Sequence, residues 1–403
     1  MKKLISISII LSIALSLVAC KPKKATLESR INVEAEIAQL QNVERNIWIN
    51  ENTIYESIVK YLLYTAQETN LRGSLIVATD DEVLFVSGTR LSDINGDEVT
   101  PYTTYEIGSL TKSFVAVCIL KLIEEGKLSM DNTLADFYPE YSSCPNYGKT
   151  SKVTIFQMLH MRSGIPDYLN QPERFFDEKE VMDILGPDEP NMTVQERLET
   201  VFETVDEEKY LTRLFTCEPN SEPDTAYEYS NTNYRTLAMI IEKVSGKKYE
   251  EYVNEVIFTP CKMTGTSSMA VGDITASVGD SFAFLPMYTF GAGDIHSNVV
   301  DMLKYNRALF GGYLLNKQSM AKIFEMVDMY ACGWSVGGLN GYGKHIGEDV
   351  THHTGATEAF HSADYVIERN GKHLYIIMLA PNGANPVDKT LYPMLDNLFE
   401  KDK

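Results

Sequence analysis

Positive charge is scarce in this sequence. Its 36 lysines and arginines are outnumbered by 56 aspartates and glutamates, and the formal net charge at pH 7 is −20. Such a chain repels nucleic-acid phosphates, and no basic stripe along the sequence offsets that repulsion. Binding to nucleic acid is therefore excluded as a function class.

Two common catalytic signatures are also absent. The sequence has no G-x-S-x-G motif, which argues against an α/β-hydrolase, and no H-E-x-x-H motif of a zinc enzyme. Four of the seven histidines, His345, His352, His353 and His361, lie in one stretch. On a strand, however, adjacent His352 and His353 would point to opposite faces. We predict no metal and no other cofactor.

Cysteine is sparse and irregularly spaced. Cys20 ends an N-terminal apolar segment, and no C-x-x-C pair occurs. The remaining cysteines are Cys118, Cys144, Cys217, Cys261 and Cys332. Because their number is odd and their spacing irregular, neither a disulfide framework nor a cysteine metal site is indicated. We predict no disulfide, and we expect Cys118, inside an apolar run, to pack as a small hydrophobic residue.

The N-terminal residues have the pattern of an export signal. Lys2 and Lys3 precede an apolar run that only serines interrupt and that ends at Cys20. This order predicts a signal peptide over residues 1–19. The letters LVAC, ending at Cys20, resemble the bacterial lipobox, in which the cysteine is lipidated. We expect a protein of the bacterial envelope, held to a membrane by its N-terminal lipid on the extracytoplasmic side. The alternatives are a plain secretory signal or a short anchor helix.

A chain of 403 residues accommodates one large domain or two modest ones. Residues 20–51 are predicted to be the lipid-bearing cysteine and a charged tether, and residues 52–403 the folded domain. An amphipathic helix is expected early in that domain. Its apolar face should carry Ile54, Ile58, Tyr61 and Leu62.

Strand patterns occur near both ends of the predicted domain, and helical patterns lie between them. Two β-prone runs flank Asp80-Asp81 and two more flank Asn370-Gly371, so each pair predicts a hairpin. The patterns together predict an α/β (α+β) protein. Its antiparallel sheet would be built from both termini and flanked by helices, with a mostly helical lobe beside it.

A serine and a lysine stand three residues apart at the start of a wholly apolar run. Ser109 and Lys112 would share one face of a helix whose next residues, from Phe114 to Leu120, are all apolar. A buried lysine loses its proton more readily and can then act as a base that activates a nearby hydroxyl. The alternative is a capping serine beside a lysine that extends to solvent.

Further motifs follow in a fixed order. They read YEIGSLTKSFVA, FYPEY, VTIFQMLHMRSGIPDY, AYEYSNTNY, FGAGDIHSNVVDMLKY and HHTGATEAF. This series resembles the serine β-lactamase-like superfamily, specifically the branch of class C β-lactamases, D-alanyl-D-alanine carboxypeptidases and related esterases. The resemblance extends over residues 52–398 and implies a β-lactamase/transpeptidase-like fold.

The resemblance also implies roles for the first two motifs. Ser109 would be the acylated nucleophile and Lys112 its proton acceptor. Tyr229 would pass a proton to the leaving group, and Asn231 would bind the substrate amide. A tyrosine anion is favoured by a nearby ammonium group, so Lys112 and Tyr229 are expected to titrate as a coupled pair.

The third motif is the sequence His353-Thr354-Gly355. Relatives carry Lys-Thr-Gly or His-x-Gly at this place, where the residues contact substrate. By the same resemblance, the backbone N–H groups of Ser109 and Ala356 would form the oxyanion hole. Because histidine is mostly neutral at pH 7, His353 should attract a substrate carboxylate less than lysine does. This favours peptide or ester substrates over β-lactams.

The sequence departs from the family pattern at three other places. Asp224 and Ala359 stand where relatives often have glycine, and Met161-Arg162 replaces His-Thr. Asp224 is expected to strain its turn. None of these changes removes a reacting group.

The expected function is therefore that of a serine hydrolase that acts through an acyl-enzyme on a D-alanyl-type peptide or an ester. The alternatives are a class C-like β-lactamase and a non-catalytic sensor that binds penicillin or peptides. The expected partners are a small peptide, ester or β-lactam substrate and the membrane, with no obligate protein partner.

Overall fold

The computed structural model describes residues 25–68, 72–89, 98–176, 206–268, 289–336, 350–357, 360–369 and 371–381. The predicted signal peptide, Cys20, His345 and Ala359 lie outside these ranges. Within them, no helix has the length and apolar character that crossing a membrane requires.

The strands form one large and one small antiparallel sheet. They are β1 (Gln41–Glu44), β2 (Ile47–Ile49), β3 (Gly73–Thr79), β4 (Val83–Thr89), β5 (Tyr105–Glu106), β6 (Ser267–Ser268), β7 (Ile295–Ser297), β8 (Ser335–Val336), β9 (Val350–Ala356), β10 (Phe360–Arg369) and β11 (Lys372–Pro381). The large sheet has the order β1-β2-β4-β3-β11-β10-β9-β8, and the small sheet the order β5-β7-β6. All neighbouring strands are antiparallel.

Both predicted hairpins are confirmed. β3 pairs with β4, and β10 pairs with β11. The two hairpins join where β11 pairs with β3, with Leu374 opposite Thr79. The sheet is therefore built from segments near both ends of the chain.

The helices lie between and around these strands. They are α1 (Leu27–Arg30), α2 (Val33–Ile37), α3 (Glu56–Glu68), α4 (Thr111–Glu124), α5 (Leu134–Phe137), α6 (Tyr147–Thr150), α7 (Ile155–Leu159), α8 (Pro172–Phe175), α9 (Glu207–Thr216), α10 (Asn231–Ser245), α11 (Tyr249–Val253), α12 (Val299–Phe310) and α13 (Lys317–Ile323). Short 3₁₀ turns span Gly108–Leu110 and Pro139–Tyr141, and a π-helical turn spans Asn254–Phe258.

Helix α4 is the centre of the main core. Every side chain from Phe114 to Leu120 is fully buried, as the apolar run predicts. Phe114 stacks on Tyr305 of α12 with ring centroids 4.0 Å apart, and Cys118 packs among these apolar side chains. A helix enclosed on all sides has a fixed N-terminus, and the candidate site lies at that end.

A second core fills the opposite face of the large sheet. Helix α3 covers it with Val59, Leu62 and Ala66. The prediction for Ile54 is wrong, because this residue precedes α3 and is 87% exposed.

The folded domain begins earlier than the predicted boundary at residue 52. Part of the predicted tether, residues 20–51, forms α1, α2, β1 and β2, and β2 pairs with β4. Glu36 accepts two hydrogen bonds from the buried guanidinium group of Arg307, at 2.7 and 3.1 Å. The charged pattern that suggested a tether belongs to a segment whose few apolar residues, such as Val33, enter the main core.

Candidate active site

Ser109 lies in the 3₁₀ turn that joins β5 to α4. Its side chain is only partly buried and faces a cavity of about 550 Å³. The described residues that line this cavity are Gly108, Ser109, Leu169, Asn170, Tyr229, Asn231, Thr289, Ala292, Gly293, His353, Thr354, Ala356 and Thr357. A hydroxyl that solutes can reach is thereby placed at the end of a rigid helix.

Lys112 is fully buried directly beneath Ser109. Its Nζ lies 2.9 Å from Ser109 Oγ, 2.8 Å from Asn231 Oδ1 and 2.8 Å from the carbonyl oxygen of Ala292. The last two atoms only accept hydrogen bonds, so they take two N–H groups of the amine. A neutral amine then has its lone pair left for the hydroxyl hydrogen of Ser109.

The environment of Lys112 favours this neutral form. Burial lowers the pKa of Lys112 from 10.5 to about 7, while the negative charges of Asp167 and Asp294 act in the opposite direction. An amine with a pKa near neutrality can take up a proton and give it back. The alternative in which Lys112 extends to solvent is wrong, because no part of the side chain reaches the surface.

Tyr229 reaches the same hydroxyl from the other side. Its phenol donates a hydrogen bond to Ser109 Oγ at 2.9 Å, and Lys112 Nζ lies 5.0 Å from the centre of its ring. Burial raises the pKa of Tyr229 above its usual value, and the hydrogen bond to Ser109 offsets this only in part. The expected coupled titration of Lys112 and Tyr229 stays a prediction. Burial favours the neutral form of each group, in which the phenol of Tyr229 has a hydrogen to donate and the amine of Lys112 has a lone pair to accept one.

Asn231 starts helix α10, and its orientation is fixed by Asp167. The amide Nδ2 donates to Asp167 Oδ2 at 3.0 Å, so Oδ1 must face Lys112. Asp167 also accepts from the side chain of Asn170 at 2.6 Å and is itself buried. Asp167 and Ala292 lie within two of the motif stretches, but no role was predicted for either, because their contacts with Asn231 and Lys112 join separate segments of the chain.

Two glycines bring the predicted oxyanion-hole amides together. A Cβ on Gly355 would lie 2.2 Å from the carbonyl oxygen of Ile107 and 3.0 Å from the Ser109 nitrogen. A Cβ on Gly108 would lie 3.2 Å from the Ala356 nitrogen. Strand β9 can thus approach the 3₁₀ turn closely only because both positions lack a side chain. Ser109 and Ala356 both line the cavity as a result.

His353 is buried at the edge of the cavity and is neutral. Its Nδ1 lies 2.7 Å from the carbonyl oxygen of Thr354, which can only accept, so Nδ1 carries the hydrogen. Its Nε2 then accepts from the phenol of Tyr330 at 3.0 Å. Burial, with the charge of Lys112, lowers the pKa of His353 to about 3. Thr354 itself is exposed to the cavity.

The neighbouring histidine points to the other face of the sheet. His352 stacks on Tyr365 with ring centroids 5.1 Å apart, away from His353. In the ranges that the structure describes, no group of three or more histidine, cysteine or acidic side chains is arranged to hold a metal ion.

The departures at residues 161, 162 and 224 lie together beside Tyr229. Asp224 has a left-handed backbone with φ 66°, and Met161 has φ 56°. The Asp224 N–H donates to the carbonyl of Arg162 at 2.8 Å, and the Glu228 N–H donates to that of Met161 at 2.8 Å. The loop that leads to Tyr229 is therefore fastened to residues 161–162.

A family model described as Beta-lactamase matches residues 65–392. The chain belongs to this family, and hence to the serine β-lactamase-like superfamily. The curated relative PbpX of Bacillus subtilis (strain 168) is 26% identical over 298 residues, which are 71% of this chain and 63% of the relative. The match thus spans less than two thirds of that relative's own length.

Solved structures share the fold. A D-stereospecific amidohydrolase from Streptomyces sp. has a TM-score of 0.61 and 22% identity, over 83% of this chain and 98% of that one. A penicillin binding protein from Bacillus halodurans has a TM-score of 0.61 and 20% identity, over 83% and 99%. At these identities the likeness shows the β-lactamase/transpeptidase-like fold alone, with its antiparallel sheet and helices.

Proposed function

We propose that this protein is a serine hydrolase that acts through an acyl-enzyme on a D-alanyl-type peptide, an amide or an ester. The observation that carries the proposal is the position of Ser109 Oγ, 2.9 Å from both Lys112 Nζ and the Tyr229 phenol. A hydroxyl with a base on one side and a proton donor on the other has what an acyl-transfer nucleophile needs.

Acylation starts with the attack of Ser109 Oγ on the substrate carbonyl carbon. The hydroxyl proton passes to the neutral amine of Lys112, and the carbonyl oxygen becomes negative beside the N–H groups of Ser109 and Ala356. When the carbon–nitrogen or carbon–oxygen bond breaks, Tyr229 gives its hydrogen to the leaving group and regains one from Lys112. An ester to Ser109 remains.

Deacylation uses the same groups in the opposite order. A water molecule attacks the ester carbonyl and gives one proton to Tyr229 while the phenol hydrogen of Tyr229 passes to Lys112. When the bond from the carbonyl carbon to Ser109 Oγ breaks, Lys112 returns that proton to Oγ, and the acid product is released. Each step ends with the three side chains neutral, as their burial favours.

The charge around the cavity supports substrates with an uncharged leaving group. Among the lining residues that the structure describes, none is a lysine or arginine, and His353 is neutral. Lys112 is buried beneath the cavity floor with its amine already engaged. A carboxylate on the leaving group would meet hydroxyls such as Thr354 but no full positive charge. Amides and esters should therefore react better than β-lactams or peptides with a free carboxylate.

The place of action is part of the same proposal. The lipobox-like residues that end at Cys20 support a lipid anchor on the extracytoplasmic face of a bacterial membrane. Mass spectrometry of the membrane fraction, with and without a Cys20→Ser substitution, tests it. A diacylglyceryl-sized increase on wild type alone is expected, and an unmodified Cys20 in membranes would contradict it.

The activity is tested with a fluorophosphonate probe, because this probe reports an activated serine without knowledge of the substrate. A protein starting after Cys20 and its Ser109→Ala variant are incubated with the probe, and their intact masses are measured by mass spectrometry. A single adduct on wild type, absent from the variant, is the expected result. If both proteins are folded and neither is labelled, the hydrolase proposal fails.

Intact-mass measurement also distinguishes an enzyme from a sensor. Incubation with a D-alanyl ester or amide should give product with an acyl adduct that disappears on standing. An adduct that forms on Ser109 and persists would instead indicate a penicillin- or peptide-binding sensor. Rapid turnover of a β-lactam would indicate a class C-like β-lactamase.

A further inference from the structure

The two oxygen acceptors of Lys112 are each held in place by a buried acid. Asn231 Oδ1 is oriented by Asp167, as described above. The other acceptor, the carbonyl of Ala292, lies in a tight turn whose last residue is Asp294. Asp294 is 1% exposed. It lies in the stretch FGAGDIHSNVVDMLKY, but no role was predicted for it from the sequence.

Asp294 folds back onto the turn that carries Ala292. Its Oδ1 accepts from the N–H of Gly291 at 2.6 Å, and its Oδ2 accepts from the hydroxyl of Ser268 on β6. The N–H groups of Ala292 and Gly293 both donate to the carbonyl of Thr289 at 2.7 Å. These bonds leave the Ala292 carbonyl one fixed direction, toward Lys112.

The turn is also joined to the segment that carries the nucleophile. The N–H of Ile295, next to Asp294, donates to Thr111 Oγ1 at 3.2 Å, and the Ile295 carbonyl accepts from the N–H of Ile107 at 3.0 Å. The position of the Asp294 carboxylate relative to Lys112 is therefore determined by the hydrogen bonds from Gly291 and Ser268 and by the bond from Ile295 to Thr111.

We propose that Asp294 is a positioning residue that aims the amine of Lys112 at Ser109 and, through its buried negative charge, keeps that amine basic enough to accept the serine proton. This inference rests on the proposed function, because it concerns the base of that reaction. Asp294 touches neither the substrate cavity nor Ser109 and acts through Lys112.

The two donors to Asp294 are neutral, so its charge is not cancelled by an ion pair with either of them. Burial raises the pKa of Asp294 to about 6, and the hydrogen bonds from Ser268 and Gly291 act in the opposite direction. In its ionised form Asp294 raises the pKa of Lys112, against the opposite effect of burial.

Other groups also face these two side chains. Lys112 meets the rings of Tyr229 and Tyr234, with Nζ 5.0 and 5.9 Å from their centres, and the charge of Asp167. Lys112 lowers the pKa of His353, which is neutral. Among the residues that the structure describes, the negative charges that raise the pKa of Lys112 are those of Asp167 and Asp294.

Asp294 in turn faces two titratable side chains besides Lys112. His296, on the following strand, lowers the pKa of Asp294. Burial and the negative charge of Asp294 both raise the pKa of the Tyr249 phenol on α11.

Asp294→Asn tests the proposal because it removes the charge and keeps both hydrogen bonds. The amide oxygen can accept from Gly291, and the amide nitrogen can donate to Ser268 Oγ. The same replacement at Asp167 would be less clean, since both its oxygens accept from N–H groups. The measurement is the rate of fluorophosphonate labelling from pH 5 to pH 9.

Wild-type labelling should fall as the pH drops through about 7, since protonated Lys112 cannot accept the serine proton. In Asp294→Asn this acid limb should move to lower pH by roughly one unit, and the plateau rate should drop several-fold because the base is weaker. A merely structural role would lower the plateau without moving the limb.

Two further variants complete the experiment. Asp364→Asn is the matched control: Asp364 is fully buried, burial raises its pKa to about 7, and its hydrogen-bond partner is Asn306. The pH at which the labelling rate of this variant falls on the acid side should stay at the wild-type value. Ser268→Ala removes one donor to Asp294 and should move the limb in the same direction by less, which covers the case that Asp294→Asn does not fold.

The outcomes separate the two proposals. An acid limb that stays at the wild-type pH in Asp294→Asn, or in Ser268→Ala if the former is unfolded, overturns the role of Asp294 and leaves the hydrolase intact. An equal shift in Asp364→Asn also overturns it. Absence of labelling in wild type overturns both proposals.

Discussion

The guanidinium group of Arg162 contacts Asp224 at two points. Its Nε donates to Asp224 Oδ1 at 2.6 Å, and its Nη2 donates to the backbone carbonyl of Asp224 at 2.6 Å. A third nitrogen contacts Asp328, which has φ 58°. Two departures from the family pattern are thus partners, because Arg162 holds Asp224 in a conformation that glycine would adopt without help.

Loss of Arg162 should leave Asp224 strained without compensation. In the Arg162→Ala background, Asp224→Gly is expected to raise the free energy of unfolding by about 1 kcal/mol, because glycine tolerates a positive φ. In wild type the same substitution should bring little gain, since it also breaks the ion pair. Urea unfolding of the four proteins of this double-mutant cycle measures the coupling. Equal effects of Asp224→Gly in both backgrounds would refute it.

Gly355 should be essential for labelling at Ser109. A Cβ there would overlap the Ile107 carbonyl and push β9 away from the Ser109 N–H. We expect Gly355→Ala to slow acylation by about 100-fold or more, the usual effect of losing an oxyanion donor. Gly148→Ala is the control, because a Cβ at Gly148 meets nothing within 4 Å. Wild-type labelling rates in a folded Gly355→Ala protein would show that the close approach is not needed.

Lys112 should influence stability with a defined pH dependence. Its pKa is about 7 in the folded protein against an ordinary value of 10.5, so the unfolded chain binds more protons between these two pH values. The stability of wild type relative to Lys112→Met should therefore rise with pH across this window, by roughly 1.4 kcal/mol per pH unit.

Chemical unfolding of wild type and Lys112→Met at several pH values checks this slope. The same variant should be labelled about 100-fold more slowly or worse, because the general base is gone. A stability difference that does not change from pH 7 to pH 10 would mean that Lys112 keeps an ordinary pKa.

Substrate preference follows from the neutral cavity. A D-alanyl-D-alanine peptide and its C-terminal amide differ only in the charge of the leaving residue. We expect the amide to have the larger kcat/KM, by about tenfold, because none of the described cavity residues supplies a full positive charge to offset desolvation of the carboxylate. Steady-state assays of the two peptides measure the ratio. A preference for the free acid would show that a cation reaches the cavity.

The sequence predicted the site where the chemistry depends on local spacing. Ser109 and Lys112 are three residues apart on one helical turn, so their contact follows from the pattern. The apolar run from Phe114 to Leu120 required that this turn open a buried helix. Tyr229 and Asn231 were found through their motif, since nothing in their local pattern separates them from other residues of their kind.

Electrostatics could not be predicted in the same way. The preferred protonation states of Tyr229 and Lys112 depend on burial, which favours the neutral form of each group and which no local pattern records. The predicted domain boundary at residue 52 is wrong because it, too, depends on contacts between distant segments. The segment before residue 52 has few apolar side chains, and its attachment to the domain includes the contact of Glu36 with Arg307, which is distant in sequence.

What the sequence alone determined is the contact of Ser109 with Lys112, the two hairpins and the buried helix that follows Ser109. Each is encoded by neighbours a few residues apart, through strand alternation, turn residues or helical spacing. Only the tertiary structure decided the protonation states of Lys112, Tyr229 and His353 and the place of Asp294. These depend on desolvation and on charges brought together from separate segments, and no local pattern records them.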